Sequence, residues 1–174
     1  MATFDCTVKT PRHKPSSNRV KFYSQCISAT KESYQTDNRN FTGYFDLLNM
    51  AGFVNTKSNA SAVTDNASDL PMRPQPRINY MKMDVEGYEF GVLANMLRQA
   101  RERNLWHLLP DQLQVEFHSS TCMYDLGWSL RTRNVGELTA FFSMLFREAG
   151  YMAVHIDGVF WPSLREVLFV RIYC

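Results

Sequence analysis

The sequence predicts a single α/β domain, 1–174, built on a mainly parallel sheet that ends in an antiparallel hairpin. Two patterns lead there. Strand-like segments alternate with helix-like ones along much of the chain, which is how parallel strands joined by crossover helices read. The last two strand-like segments, 151–156 and 166–173, have only residues 157–165 between them. That gap is too short for a crossover helix, so this pair is expected to run antiparallel. A chain of 174 residues, 45% of them hydrophobic, can bury one substantial core.

The elements follow in order. "ATF" (2–4) is a short apolar stub ending at Asp5. "VKFYSQCI" (20–27) is rich in β-formers and reads as one strand of the main sheet. "YFDLLNMAGF" (44–53) has apolar residues at helical spacing, with Gly52 as a stop. Residues 54–77 are polar, Ser/Asn-rich and end in "PMRPQPR"; three prolines so close together exclude a regular helix, and the stretch reads as a surface loop. "INYMKM" (78–83) is a strand, and 86–103 a helix with Phe90, Leu93 and Leu97 on one face. "DQLQVEF" (111–117) alternates apolar and polar residues as a strand does. Residues 134–149 form an amphipathic helix closed by Gly150, and the hairpin strands complete the domain.

Composition excludes several function classes. Nineteen basic and 17 acidic residues leave a net charge of +2, which speaks for neither a nucleic acid nor a membrane-surface partner. Basic residues gather at 9–21, but prolines and serines separate them, so the stretch reads as a solvated loop. No run of 18 apolar residues offers a membrane span. The start, "MATFDCTVKT", lacks the charged and apolar regions of a signal peptide. Cys6, Cys26, Cys122 and Cys174 form no CxxC pair and read as unpaired thiols. Three N-x-S/T sequons, at Asn40, Asn59 and Asn66, hint at a secretory-pathway parent; the localisation stays open.

The chemistry concentrates at strand ends. In open α/β sheets ligands bind beyond the carboxyl ends of the strands. There the sequence places Asp5, then Asp84 and Glu86, then Glu116 and His118. A carboxylate before a first helical turn also caps that helix, so "DVEG" alone reads as a cap as readily as a site. Glu116 sits between Val115 and Phe117, where an unpaired buried charge would be costly.

"YMKMDVEGYEFGVL" followed by "LPDQLQVEFH" resembles the FkbM-type, methyltransferase-like families of S-adenosylmethionine-dependent methyltransferases. Their Lys-hydrophobic-Asp-hydrophobic-Glu-Gly stretch reads here Lys82-Met83-Asp84-Val85-Glu86-Gly87. Their second motif reads Gln114-Val115-Glu116-Phe117-His118. The resemblance implies a Rossmann-like methyltransferase sheet with an antiparallel last strand, and S-adenosylmethionine as cofactor. It implies that Asp5 accepts hydrogen bonds from the ribose, that Asp84 lies near the cofactor or the acceptor, and that the acceptor is a small molecule or a glycan. His118 is the candidate base for O-methyl transfer, because imidazole titrates near neutrality. Glu116 would orient it or bind substrate. A metal site from Asp84, Glu116 and His118 ranks below acid–base work, since spacing does not show that the three converge; no metal ligand is assigned.

The pattern breaks at the N-terminus. The families carry a glycine-rich turn where backbone approaches the cofactor, whereas no glycine here precedes Gly43. The first strand and helix are therefore expected to be missing, and 54–77 to be an inserted loop. Two explanations stand side by side: a fragment of a longer enzyme, or a non-catalytic interaction domain that has lost cofactor binding and uses Trp106, Trp128 and Trp161 as anchors.

Overall fold

The structure is a computed structural model, and it describes residues 2–4, 21–29, 34–36, 39–53, 77–85, 87–118, 134–157 and 164–172. In the N-terminal third, β1 (Ala2–Phe4) pairs in parallel with β2 (Lys21–Tyr23). A second small sheet joins β3 (Cys26–Ile27), β4 (Tyr34–Thr36) and β5 (Arg39–Thr42) in the order β3-β5-β4. Helix α1 (Tyr44–Met50) follows.

The expected single strand at 20–27 is therefore two strands in two sheets, neither of them part of the main one. The Gln25 N–H donates to the Tyr23 carbonyl at 3.0 Å, a tight turn that interrupts the run. On either side the pieces are held separately. Tyr23 stacks on Phe4 at 5.0 Å, and Cys26 and Ile27 pair with Phe41 and Thr42. Cys26 is disulfide-bonded, which corrects the expectation of unpaired thiols; its partner lies outside the described residues. Most of the expected loop at 54–77 also lies outside them.

The main sheet is built from β6 (Tyr80–Met83), β7 (Gln112–His118), β8 (Tyr151–Asp157) and β9 (Leu164–Arg171), in the order β6-β7-β9-β8. Strands β6 and β7 are parallel, and β9 runs antiparallel to both β7 and β8. The hairpin inferred from loop length is present, and three of the four strands share one direction.

Two helices cover one face of this sheet. Helix α2 (Glu89–Arg103) presents Leu93, Met96, Leu97 and Ala100, spaced three and four apart and almost fully buried. Each large side chain so buried contributes about 1.5–3 kcal/mol. The helix ends where Asn104 takes a left-handed conformation, φ 53°. Helix α3 (Val135–Ala149) begins with a capping box. The Asn134 side chain accepts from the Glu137 N–H at 2.9 Å, and Glu137 accepts from the Asn134 N–H at 3.1 Å. Gly150 ends it at φ 72°, where an added Cβ would stand 2.6 Å from the Ile172 carbonyl oxygen. Leu113, Val115 and Phe117 of β7 and Val167 and Phe169 of β9 complete this core.

The other face differs. Strand β7 alternates from Gln112 to Phe117, so Gln112, Gln114 and Glu116 point away from the buried side chains; His118, at its end, is buried as well. The register sets Gln114 between Lys82 and Leu168, and Glu116 opposite Glu166. A polar ladder results. Lys82 Nζ lies 3.1 Å from Glu166 Oε1, Gln114 Nε2 donates to the same oxygen at 2.5 Å, and the Tyr80 hydroxyl donates to Gln114 Oε1.

Candidate functional site

The carboxyl ends of β6 and β7 lie side by side, because the two strands are parallel and pair through Met83 and Val115. Asp84 is the next residue after β6, and Glu116 and His118 close β7. One ligand-type atom from each of these three residues lies within 4.8 Å of the other two. Asp84 is exposed, Glu116 half-buried and His118 buried. The convergence that spacing left open is thus present.

Behind the cluster stands a residue that the motif reading passed over. Glu89, the first residue of α2, is fully buried. Its Oε1 accepts from the Gly87 N–H at 2.9 Å and from the Val85 N–H at 3.2 Å, and His118 Nδ1 lies 2.8 Å from it. An oxygen that already accepts from two amides acts as acceptor for the imidazole as well. In the neutral imidazole the hydrogen therefore sits on Nδ1, which leaves Nε2 as the acceptor nitrogen. Glu89 also fastens the strand-to-helix turn, in which Gly87 takes φ 97°. Its second oxygen, Oε2, has no hydrogen-bond partner among the described residues.

A signal for Glu89 was available. It sits four, seven and eight residues before Leu93, Met96 and Leu97, on the stripe that α2 buries. An acid at the head of a buried stripe needs a partner.

The electrostatics of the cluster are acidic. Partial burial, followed by the nearby charge of Asp84, pushes the Glu116 carboxyl up from its ordinary value, while His118 and Lys82 pull it down. The Lys82 ammonium is held above its usual range chiefly by its hydrogen bond to Glu166. Glu166 is held below the usual carboxylate range by its bonds from Gln114 and then Lys82.

Asp5, Glu86, Trp128 and Trp161 lie outside the described residues. Trp106 packs partly buried against the core, and its backbone carbonyl accepts from Arg171 Nη1 at 2.6 Å. No helix among the described residues is long and apolar enough to cross a membrane.

An α/β domain with acids and an imidazole at adjoining strand ends fits a group-transfer enzyme of the methyltransferase class. A family model described as the methyltransferase FkbM domain matches residues 14–152, and the chain belongs to that family. All three clustered residues and Glu89 fall inside the match; Asp5 precedes it. No curated protein and no solved structure matches the chain.

Proposed function

We propose that the chain is an S-adenosylmethionine-dependent O-methyltransferase domain with a Rossmann-like sheet, whose acceptor is handled by Asp84, Glu116 and His118. The observation that carries this reading is the meeting of these three residues at the carboxyl edge of parallel strands, within a methyltransferase family match. S-adenosylmethionine would supply the methyl group as a sulfonium. Transfer would exchange the carbon–sulfur bond for a carbon–oxygen bond to the acceptor and release a neutral thioether. The hydroxyl proton passes to His118 Nε2 and then to solvent. Glu89 would hold the ring in the required tautomer, and of the two roles open to Glu116, orienting the ring or binding substrate, this reading takes the second. Bringing the groups into line provides most of the rate, with proton removal adding to it.

The ladder beside the cluster favours a hydroxylated small molecule or a glycan. Gln114, Glu166 and Tyr80 offer hydrogen bonds suited to hydroxyl groups, and the acids oppose a phosphate backbone. A disulfide at Cys26 fits folding in an oxidising compartment, in line with the three sequons.

This sequence holds no glycine ahead of Gly43 to form a glycine-rich turn, so it is expected to bind S-adenosylmethionine more weakly than a micromolar Kd, which corresponds to about −8 kcal/mol. The test is transfer of labelled methyl from millimolar S-adenosylmethionine to a panel of hydroxylated acceptors. Label in an acceptor supports the reading. No transfer, together with no S-adenosylmethionine-induced change in melting, rejects it in favour of a non-catalytic interaction domain.

A further inference from the structure

We infer that Asp84, Glu116 and His118 form a binding site for a divalent cation, with Glu89 as the positioning carboxylate behind the imidazole. Four observations support this. The first is distance. Three ligand-type atoms from two strands lie within 4.8 Å of one another, near the edges of roughly 3–4 Å that metal–ligand bonds of about 2.1 Å produce. Asp84 is exposed, and a change of its side-chain rotamer would close the remaining gap of about 1–2 Å.

The second is the imidazole's setting. A metal-binding histidine almost always donates its other ring N–H to a carboxylate or carbonyl, which fixes the ring and raises its basicity. His118 does this through Nδ1 to Glu89 Oε1 at 2.8 Å, in a fully buried pair. Nε2 is then the nitrogen whose lone pair is available as a ligand. The third is charge. Asp84, Glu89 and Glu116 bring three carboxylates to one imidazole. Of the basic groups acting on Glu116, His118 is one and Lys82 is the other, and Lys82 is bonded to a fourth carboxylate, Glu166. The fourth is Glu89 Oε2, which is buried with no hydrogen-bond partner among the described residues, so the charge already counted for this carboxylate is left uncompensated on that side.

Two carboxylate oxygens and one imidazole suit manganese, iron or zinc in the divalent state, with positions left open on the exposed Asp84 side. Such an ion would bind the acceptor oxygen and make its hydroxyl more acidic. With the ion bound, Nε2 is a ligand rather than a base, and the acceptor's proton leaves to solvent. This last role rests on the proposed methyl transfer; the site itself does not.

The test is calorimetric titration of the metal-stripped protein with Mn²⁺ alone, alongside Asp84→Asn and Glu116→Gln, each checked for folding by circular dichroism. One Mn²⁺ per chain is expected, weakened at least tenfold in each variant. Glu89→Gln should weaken it about 10- to 100-fold; if that variant unfolds, the other two carry the test. No saturable binding at millimolar Mn²⁺, or unchanged affinity in either Asp84→Asn or Glu116→Gln, overturns the inference. Mn²⁺ binding without any methyl transfer would reject the proposed function alone. Full transfer in the presence of a chelator, with no Mn²⁺ binding, would reject the cation site alone.

Discussion

Glu89 Oε1 lies 2.8 Å from His118 Nδ1, and both side chains are sealed from solvent. A residue that begins a helix thereby fixes a residue that ends a neighbouring strand. The same oxygen binds the amides of Val85 and Gly87, so one carboxylate sets the turn and the imidazole together.

Glu89→Gln keeps the shape but removes the charge from three hydrogen bonds. A loss of about 1–3 kcal/mol in urea unfolding is expected. A change within about 0.5 kcal/mol, the range of ordinary surface substitutions, would show that the carboxylate is not needed there.

Glu116→Gln should act in the opposite direction on stability. The folded carboxyl is raised by burial and then by Asp84. The unfolded chain therefore ionises more readily, and ionised Glu116 costs stability above its folded pKa. That cost fades as the pH falls through the folded pKa. In chelator-treated protein at pH 7 the glutamine variant should gain a few tenths of a kcal/mol while methyl transfer falls. A stabilisation of equal size at pH 3 would contradict this cause.

The Lys82–Glu166 pair gives a pH window with two edges. Glu166 is lowered from 4.5, so its contribution is present above that value and is lost as the pH falls through the folded pKa. Lys82 is raised from 10.5, so its contribution is complete below that value and is lost as the pH rises through the folded pKa. Both side chains are partly exposed, which limits the effect to about 1 kcal/mol or less. Lys82→Met should lower the urea midpoint at pH 7 and leave it unchanged at pH 3. An equal loss at both would point to packing by the lysine stem instead.

Gly150 and Gly52 make an internal comparison. Both have positive φ, but an added Cβ meets the Ile172 carbonyl at 2.6 Å at Gly150 and nothing within 4 Å at Gly52. Gly52→Ala should cost about 1–2 kcal/mol for its conformation alone. Gly150→Ala should cost clearly more, because the Ile172 N–H also donates to the Gly150 carbonyl at 2.8 Å. Equal losses in thermal melts would remove the steric part of this explanation.

Much of the main sheet was legible in the sequence because its signals are local. The alternation in "QLQVEF" marks β7, the short gap marks the β8–β9 hairpin, and Gly150 marks the end of α3. The meeting of Asp84 with Glu116 and His118 was half legible: motif spacing placed each at a strand end, but only parallel pairing with the observed register joins them. Glu89 was missed because its role depends on a residue 29 positions away. The break at Ser24–Gln25 was missed because neither residue is a strong breaker. It arises from partners on both sides, Phe4 for Tyr23 and Phe41 and Thr42 for Cys26 and Ile27. The Cys26 disulfide was missed because the spacing of four cysteines does not reveal pairing.

Asp84 offers the most direct measurement. It is exposed at the strand end, so it has little packing to lose. Methyl transfer from labelled S-adenosylmethionine should be compared for the native chain and Asp84→Asn, each with its melting curve. The variant is expected to melt as the native protein does and to lose most of its transfer. Native-like transfer in the variant would contradict the assignment of Asp84, Glu116 and His118 as the working site.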